Sequence, residues 1–99
     1  MSNDATKTAE ILDLVELTKE HLAAEGHAVD VEPNDQITAF EVTPAGRPDE
    51  VICRIQAVGD QSWEMVMTNG QTLTGMGGEE VFRAMIGRTV ADAMRRRAA

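Results

Sequence analysis

Three groups of residues in this 99-residue chain have types and spacing that suit chemistry. They are the run Gly75-Met76-Gly77-Gly78 ahead of Glu79-Glu80, the set His21, Glu25 and His27, and the acidic residues Glu10, Asp13, Glu16 and Glu20. A glycine run entering a helix can cradle phosphate through backbone N–H groups and the positive helix end. Here two carboxylates open the helix where the anion would sit, and the spacing matches neither GxxxxGKS/T nor GxGxxG. The run reads instead as a flexible hinge at residues 75–78 between a hairpin and a helix.

His21 and Glu25 stand four apart, and a turn at Gly26 would bring His27 back toward them. That makes a two-histidine, one-carboxylate set of the kind that holds Zn or Fe(II), the basis of a small metal-dependent enzyme. Histidines near a helix C-terminus are also favoured by the helix dipole alone, and the expectation is no metal and no cofactor. Other catalytic material is thin. The chain has no Tyr, Ser2 and Ser62 have no neighbouring His, and Cys53 falls on the apolar face of a strand, where a thiol is packing. Carboxylates abound, but none is singled out as an acid and base pair. The expectation is a non-enzyme.

The acidic residues are the most informative group. At 100° per residue, Glu10, Asp13, Glu16 and Glu20 fall within a sector of about 120° opposite the apolar face of a helix, with Leu17 among them. Such a stripe serves solubility, or it is a docking surface whose carboxylates meet Arg or Lys while Leu17 supplies an apolar anchor.

The elements that must position these groups follow from periodicity. Residues 8–25 repeat apolar side chains at helical spacing (Ile11, Leu14, Val15, Thr18, Leu22), with Leu12 at the edge of that face and Gly26 as the stop. Strands are predicted at 27–31, 37–43, 51–58, 63–68 and 71–74, the first of them the weakest. Asn69-Gly70 suits a type I′ hairpin turn. Residues 79–96 are helical again, with Val81, Phe82, Met85, Ile86, Val90 and Ala93 on one face and Gly87 marking a close contact or a kink. The fold class expected is α+β: an N-terminal helix, an antiparallel meander of four to five strands and a C-terminal amphipathic helix, both helices on one sheet face. All 99 residues form a single domain, with 1–7 a flexible tail and 97–99 frayed.

Charge narrows the partners. The formal net charge is −8, and residues 1–53 hold twelve Asp or Glu against three Lys or Arg, while residues 54–99 hold five against six. That balance disfavours direct contact with nucleic acid or an anionic membrane and favours a basic protein surface. The lone Cys53 excludes an internal disulfide and suits a cytoplasmic location, and the opening MSNDATKTAE has no signal-peptide pattern. Met65, Met67, Met85 and Met94 form core filler or an adaptable groove. Arg95-Arg96-Arg97 suits the helix dipole, or reaches the acidic stripe of a second copy in a homodimer.

The order of elements is similar to that of bacterial secretion chaperones and small phage-encoded inhibitors, a likeness of layout that brings no site residues with it. The leading expectation is a non-catalytic binding module or inhibitor that docks Glu10, Asp13, Glu16, Leu17 and Glu20 on a basic partner, such as a nucleic-acid-binding protein, mimicking phosphates. The alternatives are a dimeric chaperone-like holder of an apolar segment and the metal-dependent enzyme.

Overall fold

The computed structural model describes residues 2–59, 62–68, 70–76 and 79–98. Its elements are α1 (Ser2–Ala24), β1 (Val29–Pro33), β2 (Ala39–Pro44), β3 (Cys53–Gly59), β4 (Ser62–Met67), β5 (Thr72–Met76) and α2 (Glu79–Ala98). The five strands form one antiparallel sheet in sequence order, a meander. The α+β class is therefore as expected.

Period-2 alternation sorts the sheet into two faces. Register places Val31 beside Val42, Val42 beside Cys53, Phe40 beside Ile55, Ile55 beside Met65 and Trp63 beside Gly75. Every one of these apolar side chains is buried, and together they form the face that carries the helices. On the other face Glu32 pairs with Glu41 and Glu41 with Arg54, all exposed. Among neighbouring elements, α1 packs on β1, β2 and β3, while α2 packs on β5 and on α1. Ile11, Val15 and Leu22 of α1 and Phe82, Ile86 and Val90 of α2 are buried in the shared core. Thr18, buried in the same row, donates its hydroxyl to the Leu14 carbonyl at 2.6 Å, so its polar atom is satisfied.

Several boundaries differ from the sequence expectation, each for a local reason. α1 opens at Ser2 instead of residue 8, so the expected tail at 1–7 is helical from Ser2 on, and α2 continues to Ala98 through the region expected to fray. α1 ends in a Schellman turn: the His27 N–H donates to Leu22 O at 2.9 Å and the Gly26 N–H to Ala23 O at 3.0 Å, with Gly26 at φ +84°. That turn uses residues 26–27, so β1 begins at Val29. β2 begins at Ala39 because Asn34 organises the preceding loop. Its Oδ1 accepts from the Thr38 N–H at 2.8 Å and the Ala39 N–H at 3.3 Å, and its Nδ2 donates to Thr38 Oγ1 at 2.8 Å. Ile37 inside this loop sits at φ +53°, a costly conformation for a β-branched residue, held while its side chain packs on the core.

The β4–β5 hairpin is a three-residue loop and not the expected two-residue type I′ turn. The Gly70 N–H donates to Met67 O at 2.9 Å and the Met67 N–H to Gln71 O at 2.8 Å, with Gly70 at φ +89°. This is the pattern of a turn closed by a glycine bulge; Asn69 lies outside the described residues. β5 also runs on to Met76, so Gly75 is a strand residue and not part of a hinge; Gly77 and Gly78 lie outside the described residues. The Trp63 indole lies over Gly75 and occupies the volume that a Cβ there would need. It meets Phe82 edge to face, ring centroids 5.1 Å apart and planes at 88°.

Candidate functional site

The exposed side of α1 is defined by what covers its flanks. Ile11, Val15, Thr18 and Leu22 face the sheet. Leu17, His21 and Glu25 follow one another at four-residue intervals along the next ridge, the side on which α2 approaches. The approach is close because α2 has no side chain at Gly87. A Cβ there would stand 2.7 Å from Glu25 Oε1 and 2.9 Å from His21 Nε2. Gly87 therefore marks a packing contact.

This approach splits the acidic stripe predicted from sequence. Asp13, Glu16 and Glu20 are exposed, Glu10 is half-buried, and Leu17 is buried in the core at 9% exposure. Leu17 is thus not an apolar anchor on the surface: the helical wheel defines its angle relative to the carboxylates, and the second helix covers that angle. The exposed large apolar residue of α1 is Leu12, at 43%. It stands on one ridge with Glu16 and Glu20 at four-residue spacing, a relation readable in the sequence once α2 is known to cover the other flank. Asp13, Glu16 and Glu20 fall within about 60° of arc and extend about 10 Å along the axis. Lys19 reaches Glu16 at 4.0 Å, an exposed and weak pairing.

The candidate metal set does not assemble. His21 Nε2 lies 3.1 Å from Glu25 Oε1 beside Gly87, and the His27 backbone serves the helix cap. Among the described residues no group of three His, Cys, Asp or Glu converges to hold a metal ion.

Cys53 is fully buried between Val42 and Met67, and burial pushes its thiol from an ordinary 9.0 up to about 12. Burial and a protonated thiol make it a packing side chain of the core, since the thiolate is the reactive form. Its ionisation makes a testable difference in alkali. Between pH 9.0 and about 12 the unfolded thiol has lost its proton and the folded one has not, so the unfolded chain binds fewer protons there. The stabilising contribution is complete below that window and is lost as pH rises through it, at about 1.4 kcal/mol per pH unit. Urea unfolding at about pH 8 and about pH 10 should show a steeper loss for the wild type than for Cys53→Val. Parallel losses would exclude the buried thiol as the cause.

The methionines divide between core and groove. Met65 is buried, whereas Met67 and Met85 are half-buried and line a cleft of about 320 Å³ between α2 and the β4–β5 hairpin. Arg88, Asp92 and Arg96 line its helix side at four-residue intervals. Met67 and Met85 thus line a groove, one of the two alternatives for the methionines, while the arginines beside them have no counterpart in the sequence expectation. No helix among the described residues is long and apolar enough to cross a membrane. No protein-family model, curated protein or solved structure matches the chain.

Proposed function

We propose that this protein is a non-catalytic binding module that docks the acidic face of α1 on a basic surface of another protein. The observation supporting this reading is the exposure of Asp13, Glu16 and Glu20 on one side of α1, beside exposed Leu12, with Lys19 their one ion-pair partner among the described residues. Like charges four apart, as in Glu16 and Glu20, destabilise a helix by a few tenths of a kcal/mol. A cationic partner surface would remove that repulsion and convert it into attraction. Where that surface otherwise holds nucleic acid, the carboxylates occupy the positions of phosphates and the protein inhibits by occupancy. Leu12 supplies the apolar contact in place of the buried Leu17.

The test is charge reversal. The double variant Glu16→Lys, Glu20→Lys alters exposed side chains only, so its thermal unfolding should stay close to that of the wild type. A partner captured by the wild type at low salt should be released at about 0.5 M salt, where exposed charges are screened beyond a few ångströms. The variant should bind that partner at least about tenfold more weakly, measured by titration. Equal affinity of the two proteins would remove the proposal.

A further inference from the structure

Arg88 and Arg96 stand two turns apart on one flank of α2, about 12 Å along its axis. Both are exposed and both line the cleft against the β4–β5 hairpin. Asp92 lies between them but is held by Arg95, Oδ1 to Nη2 at 2.9 Å. Among the described residues neither Arg88 nor Arg96 has an ion-pair partner. The rest of the lining is mixed: Ile52, Met67, Leu73 and Met85 are its main apolar side chains, and Thr68, Gln71 and Thr89 are polar. A cleft that combines apolar side chains with two cations lacking an ion-pair partner among the described residues is a distinct local feature on a chain of net charge −8.

The strand beside the cleft adds a second observation. Leu73 belongs to β5, an edge strand whose outer side has no strand partner among the described residues. The opposite edge, β1, carries Asp30, Glu32 and Pro33, residues that discourage pairing with another chain. β5 (Thr72–Met76) has neither charge nor proline and so carries none of the features that discourage pairing with an extended chain.

We propose that this cleft binds an extended peptide segment of the pattern acidic–x–apolar–x–acidic. In an extended chain residues i, i+2 and i+4 project from the same side. Four residues cover about 13 Å at 3.3 Å each, close to the axial rise of about 12 Å between positions 88 and 96 on α2. The outer carboxylates accept hydrogen bonds from Arg88 and Arg96, and the central side chain covers Met67, Leu73 and Met85. Flexible methionines adapt to different apolar side chains, so the site tolerates variety at the central position. The site lies on α2 and β5 and is independent of the acidic face of α1.

The experiment is a fluorescence-anisotropy titration of the full chain with a labelled, end-blocked peptide Ser-Glu-Ser-Leu-Ser-Glu-Ser at physiological salt. Saturable binding is expected. The double variant Arg88→Gln, Arg96→Gln should bind it about tenfold more weakly or worse, since each charge-assisted hydrogen bond is lost without disturbing buried atoms. A peptide with Ser for the central Leu should also lose about tenfold. A peptide of the same composition with its two Glu adjacent should bind more weakly than the alternating one, which tests the spacing itself. The Glu16→Lys, Glu20→Lys variant should bind the first peptide unchanged. Absence of saturable binding to the wild type, equal affinity of the arginine variant, or indifference to the spacing of the two Glu would each overturn the proposal.

Discussion

Replacing Phe82 with alanine should lower the unfolding free energy by about 3–5 kcal/mol, the usual cost of removing a buried phenyl ring. Phe82 is 1% exposed in the first turns of α2 and meets the edge of Trp63. With Ile86 and Val90 it forms the row that seats α2 on the core, and that helix packs on β5 and, through Trp63, on β4. A chain of this size has a total stability of about 5–15 kcal/mol, so the loss takes a large share of it. The midpoint of thermal unfolding should fall by about 4–8 °C for each kcal/mol. Phe82→Leu, which keeps much of the volume, should cost less than about 1.5 kcal/mol. Because Trp63 is the single tryptophan, its emission reports the transition directly. An alanine variant within about 1 kcal/mol of the wild type would show that α2 is not anchored through this ring.

Gly75→Ala is the second large effect, and its sign is less obvious. In most strand positions alanine gains slightly by restricting the unfolded chain, by less than about 1 kcal/mol. At Gly75 the Trp63 indole already fills the space of a Cβ. Trp63 is 3% exposed and held against Phe82, so the ring has no free volume into which to retreat. Overpacking of this kind costs about 1–3 kcal/mol, and the net change should be destabilising. Its origin can be isolated by a double-mutant cycle. In a Trp63→Leu background the same Gly75→Ala change should be nearly neutral, giving a coupling of at least about 1 kcal/mol. Additive losses would show that the glycine is required for some other reason. The Trp63 Nε1, buried without a hydrogen-bond partner among the described residues, is a further cost of this ring position.

What a residue's place in the sequence reveals depends on which physical signal it carries. Ile11, Val15, Thr18 and Leu22 recur at 3.6-residue spacing and were correctly assigned to the core. The alternation of Cys53, Arg54 and Ile55 placed β3 and its buried face. Gly26 was legible as a stop because few residues other than glycine adopt its positive φ at low cost. Gly75 was misread as hinge because three glycines in four residues look alike in sequence, while its packing beneath Trp63 depends on strand register. Ile37 was misread as strand because its side-chain type favours strands, while the Asn34 hydrogen bonds hold it in a left-handed turn.

The candidate site shows the same division more sharply. Periodicity and charge alone specify a two-helix α+β chain whose first helix has an apolar row and several carboxylates away from it, because those properties depend on residue type and spacing. Which carboxylates and which leucine reach the surface depends on the side from which α2 approaches, and that is fixed by Gly87 meeting His21 and Glu25. The cleft beside Arg88 and Arg96 is a space between a helix and a hairpin distant in their contacts, and no local pattern encodes a gap between two surfaces.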